Sequence, residues 1–462
     1  MEVKKGQCIE VDISNIAFGG KGIAKVDGLV VFIENAIPGD RIRARIIKKK
    51  KNHAIGHIEE IITPSPFRVS APCKYSGYCG GCKWQCLAYE KQLEIKRQHI
   101  VDALEHIGLF KDICVHPTRA SNPIYGYRNK MEFSCSDKRW VLPQELNGAT
   151  CEKDFALGLH VPGTFHKVID IHKCWIQPEL GNIILNDIRG YIQKSGFPIY
   201  GIRSHIGFWR FVMLRHASGN DRWMVNLVTS EENSQVLQPL ADQLRANYPQ
   251  IVSVVNNITR RKAAIAVGET EILLSGQPVL KENIGRFMFE ISSNSFFQTN
   301  TRGAEQLYTI VKQYAGLSGN EVIVDLYSGT GTIAICLSND AREIIGMEIN
   351  ENSVTDAWRN CRLNHITNCR FIQGDIKENL SRLTVKPDVM IIDPPRAGMH
   401  PQVVHHILNT APERIVYISC NPTTLARDLR LMKDVYRIKE IQPVDMFPHT
   451  YHIESVVRLE KK

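Results

Sequence analysis

Three patterns of apolar and polar positions follow one another along the chain. Residues 1–63 alternate short β-branched runs with glycine, as in CIEVDI, AFGGKGIAKV and LVVFIENAIPGD, which predicts a small all-β barrel. Residues 125–290 contain the strand-like runs MEFSCS, RFVMLRH, RWMVNLVTS and AAIAVG with little helical periodicity, which predicts a second, β-rich domain. From Thr301 onwards, apolar strand runs alternate with helical segments, as expected for a parallel, doubly wound α/β sheet.

Helical spacing is predicted in two places. The apolar residues from Leu87 to Leu109 fit an amphipathic helix, and Leu307, Ile310, Val311 and Tyr314 share one helical face. The stretch TPSP at residues 63–66 marks a boundary after the barrel, because proline cannot donate to a strand ladder. The length of 462 residues agrees with several domains at roughly 100 to 200 residues each.

Composition and charge narrow the class of protein. The chain is 43% apolar and 23% charged, which is typical of globular proteins. No apolar run reaches the roughly 18 to 20 residues that span a bilayer, and the start MEVKKGQCIE lacks the apolar stretch of a signal peptide. We therefore expect a soluble cytoplasmic protein with no membrane partner. Lysine and arginine number 57 against 48 acidic residues, so the net charge of +9 suits a polyanionic partner.

One run of the predicted barrel concentrates positive charge. Arg41, Arg43 and Arg45 recur at period two, so they share one face of a strand, and the run continues into KKKK at 48–51. One interpretation is a solvated edge strand protected from self-pairing by its charge. The other is a surface that follows the phosphates of a nucleic acid on an oligonucleotide-binding type of barrel.

The run EVIVDLYSGTGT predicts a strand, a glycine-rich turn and the start of a helix. Gly329 and Gly331 would allow backbone to approach a ligand closely, and Glu348, at the end of the next strand, could accept both hydroxyls of a ribose. The run does not match the P-loop pattern, so a binding site for a nucleoside triphosphate is disfavoured. Packing glycines and a surface glutamate are the alternative interpretation.

Two further carboxylates follow later strands of the same region. Asp375 lies in the run GDI at one strand end, and Asp393 precedes the stiff pair Pro394-Pro395 at another. The carboxyl ends of parallel strands share one rim, so these side chains could contact an adenine amine and a substrate.

Cys420 ends the strand VYISC, and Asn421-Pro422 opens a helix whose dipole would favour a thiolate. A thiolate that adds to carbon 6 of uracil makes carbon 5 nucleophilic toward an electrophilic methyl group. Glu454 in HIESVV is the candidate base for the carbon 5 proton. His449 and His452 flank this region and are either catalytic or solvated loop residues.

The chain has 13 cysteines, and no secretory signal supports a disulfide framework. Cys73, Cys79 and Cys82 are closely spaced in a glycine-containing loop, which fits an iron-sulfur cluster better than zinc. The fourth ligand could be Cys86 or the distant Cys174, and unligated buried thiols are the alternative.

Taken together, these motifs resemble the RNA uracil-5-methyltransferases, which use S-adenosylmethionine to modify ribosomal or transfer RNA. The resemblance covers almost the whole chain: a barrel similar to a TRAM domain, the C-x5-C-x2-C cluster with its remote CWIQP, and the motifs YRNKMEF, FFQTN, DLYSGTGTIAI, IDPPRAG, YISCNPTTLARD and HIESVV.

The resemblance implies a role for particular residues. A [4Fe-4S] cluster would be held by Cys73, Cys79, Cys82 and Cys174, with Cys86 a bystander. The S-adenosylmethionine and target-base site would be lined by Gln298, Tyr327, Thr332, Glu348, Asp375 and Asp393. Cys420 would be the nucleophile and Glu454 the base.

The resemblance also implies an arrangement of domains. It comprises a TRAM-like OB barrel at 1–63, a central β-rich α+β domain with the cluster at 64–290, and a Rossmann-like methyltransferase domain at 291–462. A helix at about 87–120 would pack on the catalytic domain.

The resulting expectation is a monomeric methyltransferase that acts on uracil carbon 5 of RNA, with 23S ribosomal RNA favoured over transfer RNA. Three alternatives remain: a cytosine-5-methyltransferase, an amine methyltransferase that uses Asp393, and a non-catalytic iron-sulfur RNA-binding or ribosome assembly factor.

Overall fold

The computed structural model describes residues 3–146, 153–263 and 265–462. The amino-terminal region forms a six-stranded sheet in the order β1-β5-β6-β4-β3-β2. Its strands bury alternate residues, as period-two sequences with one apolar face do. The strands are β1 Cys8–Asp12, β2 Asn15–Ile16, β3 Gly22–Val26, β4 Leu29–Glu34, β5 Arg41–Lys49 and β6 His53–Thr63.

The basic strand β5 lies between β1 and β6, so the interpretation as an edge strand is wrong. Its three arginines do share the exposed face, as predicted. Arg43 pairs with Glu10 at 3.0 Å and with Glu60 at 2.6 Å, and Arg45 pairs with Glu59. Within the described ranges, no ion pair involves Arg41 or Lys48–Lys51, so these side chains add positive charge that no neighbouring acid offsets.

The predicted helix after the cysteine-containing loop is α1, Tyr89–Ala103, followed by a short π-helical turn, Leu104–Gly108. The expectation that it reaches residue 120 is wrong, because Leu109 turns into the left-handed region with φ of 57°. Ile100 and Leu104 lie in the same hydrophobic core as Tyr417 and Leu425 of the carboxyl-terminal region. The helix therefore packs on the distant domain, as expected.

The central region contains a seven-stranded sheet in the order β13-β12-β11-β10-β7-β8-β9. Two long helices pack on it, although the sequence predicted little helix here. The described residues of the run AAIAVG form no strand, and Ala264 of that run lies outside the described residues. The elements are β7 Lys130–Ser136, β8 Ala156–His160, β9 Val168–Asp170, α2 Glu179–Lys194, β10 Trp209–Ala217, β11 Arg222–Thr229, α3 Ser234–Asn247, β12 Ile251–Ile258 and β13 Thr270–Gly276.

A hairpin, β14 Leu280–Ile284 and β15 Phe287–Ile291, leads into the carboxyl-terminal sheet, whose order is β18-β17-β16-β19-β20-β22-β21. Five of its strands pair in parallel, and β22 pairs antiparallel with both β20 and β21. The strand β22 therefore runs against the other six, which differs from the predicted all-parallel sheet. The elements are α4 Thr301–Ala315, β16 Val322–Leu326, α5 Thr332–Leu337, β17 Glu343–Glu348, α6 Glu351–Leu363, β18 Cys369–Gln373, α7 Ile376–Ser381, β19 Val389–Ile392, α8 Pro401–Thr410, β20 Arg414–Ser419, α9 Pro422–Met432, β21 Tyr436–Val444 and β22 Glu454–Lys461.

The helix α4 buries the apolar face predicted for it, including Leu307 and Val311. Asn300 caps its amino terminus, because the Asn300 side chain accepts a hydrogen bond from the amide of Gly303. No helix within the described parts of the chain is both long and apolar enough to cross a membrane.

Candidate active site

The candidate site lies at the carboxyl ends of the parallel strands, where open α/β sheets bind ligands. The glycine-rich turn after β16 is tied to the end of β17, because the amide of Gly329 donates to Glu348 Oε2 at 3.0 Å. The other oxygen of Glu348 accepts from the amide of Asn350 at 2.8 Å. A Cβ added at Gly329 would meet nothing within 4 Å, so this turn leaves room for a ligand against its backbone.

Tyr327 follows β16 directly and has a φ of 63°, an uncommon conformation for a bulky residue. Such strain persists only where the surrounding structure imposes it, and it is concentrated at binding sites. Thr332 begins α5, and its hydroxyl oxygen lies 3.2 Å from that of Thr330. Both Tyr327 and Thr332 therefore stand at the rim that the sequence predicted.

Asp375 and Gln298 lie in different segments of the carboxyl-terminal region. Asp375 caps α7 by accepting from the amide of Lys377 at 2.8 Å, so one of its oxygens is already occupied. Gln298 lies in the segment before α4, and its carbonyl accepts from the Asn129 side chain at 2.9 Å. Asn129 belongs to the YRNKMEF motif, and its hydrogen bond connects the central region to the segment before α4.

Cys420 and Glu454 come from neighbouring strands. Ser419 of β20 is the register partner of Ser455 of β22, so Cys420 follows one member of this pair and Glu454 precedes the other. Asp393 follows β19, the other neighbour of β20. The side chain of Asn421 donates to the carbonyl of Arg396 at 3.0 Å, which links the turn after Cys420 to the turn after Asp393.

Burial dominates the electrostatics of these three groups. Burial and the charges of Glu454 and Asp393 raise the pKa of Cys420 to about 11, whereas Arg396 lowers it. Burial raises the pKa of Glu454 well above its ordinary value and that of Asp393 to about 7. The sequence predicted a thiolate favoured by the helix dipole. In the folded chain, burial and the neighbouring Glu454 and Asp393 raise the pKa of this thiol instead of lowering it.

His449 and His452 are not solvated loop residues. Burial lowers the pKa of each to about 4, so both rings are neutral at physiological pH. The backbone of His449 is held on both sides: its amide donates to Gln92 Oε1 at 2.9 Å, and its carbonyl accepts from the amides of Lys83 and Trp84. His449 therefore has a structural environment rather than an open catalytic one.

The predicted ligand cysteines Cys73, Cys79, Cys82 and Cys174 all line one small, partly open cavity. Burial raises the pKa of Cys82 to about 12 and that of Cys174 to about 11. Cys86 lies outside this cavity and packs with Ile16, Ile37 and Trp84. Among the described residues, no group of three or more His, Cys, Asp or Glu side chains is arranged to hold a metal ion.

Two charged residues of the site were missed by sequence reasoning. Asp325 lies within β16, is 1% exposed and has no hydrogen-bond partner for either carboxylate oxygen among the described residues. Burial, together with Asp393 and Glu348, raises its pKa well above the ordinary value. Arg396 is the cation that acts on both Cys420 and Glu454. Two features of the sequence could have pointed to them: Asp325 is a lone acid inside an apolar strand, and Arg396 directly follows the Pro394-Pro395 turn.

Comparison with known proteins gives two family matches. The model of the tRNA (uracil-5-)-methyltransferase family matches residues 221–462, and that of the TRAM domain matches residues 2–58. An RNA methyltransferase from Chlorobaculum tepidum is 41% identical over 99% of this chain and 97% of its own length. Another from Porphyromonas gingivalis is 39% identical over 97% of this chain and 99% of its own length.

A solved structure resembles the whole chain. It is the tRNA (uracil-54, C5)-methyltransferase of Pyrococcus abyssi in complex with S-adenosyl-L-homocysteine, with a TM-score of 0.77 and 28% identity. The similarity covers 98% of this chain and 100% of that one.

Proposed function

Because the chain belongs to the tRNA (uracil-5-)-methyltransferase family and is an S-adenosylmethionine-dependent RNA methyltransferase, we propose that it methylates carbon 5 of a uracil through a covalent bond to Cys420. The observation that carries this proposal is the placement of Cys420 and Glu454 across the β20–β22 pair, beside the rim of the glycine-rich turn. The cytosine-5 and amine alternatives rest on no comparable observation.

In this mechanism, Cys420 releases its proton to solvent, and the resulting thiolate sulfur forms a bond to carbon 6 of the uracil. The electron pair of the ring then makes carbon 5 nucleophilic. The cofactor supplies an electrophilic methyl group bound to a sulfonium. Once carbon 5 carries the methyl group, Glu454 accepts the carbon 5 proton, the ring double bond re-forms, and the bond from carbon 6 to Cys420 breaks with its electrons returning to sulfur.

The residues around the glycine-rich turn would hold the cofactor. We assign this role to Gln298, Tyr327, Thr332, Glu348, Asp375 and Asp393. The open space beside Gly329 and the paired amides on Glu348 support a nucleoside with its ribose at Glu348. Asp393 would contact both the cofactor and the target uracil, because it lies between the glycine-rich turn and Cys420.

The target uridine must leave its stack, since carbons 5 and 6 are inaccessible within one. The lysines of β5 and its following turn would hold neighbouring phosphates. Ribosomal RNA of the 23S type is the substrate expected from the barrel and the cysteine loop. Transfer RNA is the second candidate, because the similar structure is of an enzyme for that substrate.

The four cavity cysteines would hold a [4Fe-4S] cluster. Their convergence on one cavity supports this, since four thiolates are the ligand set of such a cluster. We give the cluster a structural role. The chain is proposed to act as a cytoplasmic monomer with domains at 1–63, 64–290 and 291–462.

The function is tested by mapping 5-methyluridine in both ribosomal and transfer RNA from cells that lack the protein. Wild-type protein is expected to restore one or more 5-methyluridines, and Cys420→Ala is expected to restore none while still binding RNA. Restoration by Cys420→Ala, or 5-methylcytidine as the product, would overturn the proposal. The RNA class that regains the mark decides between the two substrates.

The cluster is tested by anaerobic purification and iron analysis. Cys174→Ala is expected to lose most of the iron and the visible absorbance, whereas Cys86→Ala keeps both. Equal iron in the two variants, or none in wild type, would contradict the ligand assignment.

A further inference from the structure

The nine residues that connect β21 to β22, here called the base loop (Asp445–Ile453), begin and end beside the proposed base. Val444, the last residue of β21, is the register partner of Glu454, the first residue of β22. The position of Glu454 therefore depends on how this loop closes. A loop of this length has many conformations unless other parts of the molecule hold it.

A buried ion pair connects the base loop to α1, and its two residues are 349 positions apart in the sequence. Lys96 Nζ donates to Asp445 Oδ1 at 2.6 Å and to the carbonyl of Phe447 at 3.1 Å. Both charged side chains are fully buried. The hydroxyl of Tyr89, at the start of α1, donates to the other oxygen of Asp445 at 2.9 Å.

A further residue of α1 holds the middle of the base loop. Gln92 Oε1 accepts from the amide of His449 at 2.9 Å, and Gln92 Nε2 lies 3.3 Å from His449 Nδ1. His449 has a φ of 65°, and the ring of Tyr125 stacks on its ring with centroids 4.3 Å apart. A non-glycine residue keeps this conformation only when its surroundings impose it.

Burying an ion pair adds little net stability, because desolvation offsets the attraction. Packing alone could be achieved there by apolar side chains. Lys96 and Tyr89 instead provide directional hydrogen bonds, one to each oxygen of Asp445, which apolar side chains cannot do. Asp445 Oδ1 also accepts from the amide of Phe447 at 3.0 Å. The first turn of the base loop thereby has one geometry.

We propose that Lys96, Tyr89 and Gln92 are positioning residues that set the place of Glu454 for proton removal through the base loop. The inference rests on the proposed function and goes beyond it, because it gives α1, which lies outside the residues matched by the catalytic family model, a part in one particular step. None of the three touches the reacting atoms. Their effect falls on the step after methyl transfer and leaves the Cys420 addition intact.

The two steps can be separated in a single turnover on uridine RNA. Adduct formation is followed as protein-linked RNA on denaturing gels, and its decay to free 5-methyluridine RNA reports proton removal. The test variants are Tyr89→Phe and the double variant Lys96→Met with Asp445→Asn, which removes both buried charges together and so leaves neither one unpaired. Glu454→Gln gives the reference for a lost base.

We expect the variants to form the adduct within about threefold of the wild-type rate but to resolve it at least about tenfold more slowly, as a displaced base would. Linked RNA should then accumulate, and it should accumulate more strongly with Glu454→Gln. The matched control is Arg68→Met with Asp40→Asn, which removes a partly buried ion pair that, among the described residues, makes no hydrogen bond to the base loop. This control should not change the ratio of the two rates.

Equal slowing of both steps would show that α1 acts only on stability, and no slowing of either would remove its role. Either result overturns the inference, as does a control that accumulates the adduct. If the double variant fails to fold, as judged by urea unfolding, Tyr89→Phe carries the test. Failure of the proposed function is distinct, because wild-type protein itself would then form no linked RNA.

Discussion

At the scale of single residues, the site is built from acids that the protein holds in unfavourable surroundings. Asp325 is buried without a hydrogen-bond partner among the described residues, and Glu454 is buried with a strongly raised pKa. Groups of this kind lower stability and are typical of binding and catalytic sites. Asp393 and Glu454 could be selected from strand-end motifs and the family resemblance. Asp325 had a weaker signal, a lone acid inside an apolar strand, and its burial and lack of partners are visible only in the folded chain.

The raised pKa of Asp325 predicts a pH-dependent stability. The pKa of Asp325 in the folded chain lies above its value in the unfolded chain, which is about 4. Below that pH the carboxyl is protonated in both states and does not lower the stability. As the pH rises, ionisation of the buried carboxyl lowers the free energy of unfolding, and the full loss is reached above the folded-state pKa. Asp325→Asn should therefore stabilise the protein by about 1–3 kcal/mol at about pH 8 and change little at about pH 4. Urea unfolding at the two pH values checks this. Destabilisation at the higher pH would contradict it.

At the scale of elements, periodicity predicted some helices and missed others for identifiable reasons. The buried face of α4 is largely apolar, so the helical spacing of its apolar residues could be recognised in the sequence. The buried face of α2 includes Asn182, which binds the backbone of Cys174, and Arg189, which pairs with Asp170. The helix α3 contains Pro239. Polar residues with buried partners and an internal proline hide a helical pattern from sequence reasoning.

The packing of α1 on the catalytic domain predicts the effect of a core substitution. Ile100 is fully buried in the core that contains Tyr417 and Leu425. Ile100→Ala should lower the free energy of unfolding of the catalytic unit by about 2–4 kcal/mol, through lost burial and a residual cavity. Leu109→Ala, at a residue that is 61% exposed, is the control and should change it by less than about 0.5 kcal/mol. Equal effects in urea unfolding would argue against this packing.

At the scale of the whole molecule, the chain order does not follow the spatial order. The alternation of strands and helices predicted Glu348, Asp375 and Asp393 at one rim, because the strands of a parallel sheet share one direction. The hydrogen bond from Lys96 to Asp445 joins segments that no local pattern relates. The antiparallel pairing of β22 could not be predicted either, because the apolar pattern of a strand does not indicate its direction in the sheet.

The distribution of charge predicts how the barrel binds RNA. Replacing Lys48–Lys51 with glutamine should weaken RNA binding and lower the slope of log affinity against log salt by about 0.7–0.9 for each phosphate left without a lysine. Arg43→Gln with Arg45→Gln should have a smaller effect, because these arginines already pair with glutamates. Affinity measured between about 50 and 200 mM salt, where this effect is large, checks both. Unchanged slopes for the lysine variant would contradict the role of this face.

The central claim is that Cys420 bonds to a pyrimidine ring during methyl transfer. The most direct measurement is peptide mass spectrometry of wild-type protein incubated with S-adenosylmethionine and RNA in which 5-fluorouridine replaces uridine. Fluorine at carbon 5 leaves no proton for Glu454 to remove, so the methylated ring should stay bound to the peptide that contains Cys420. A ring bound to another residue, or methylated RNA released without any protein-linked species, would contradict the account.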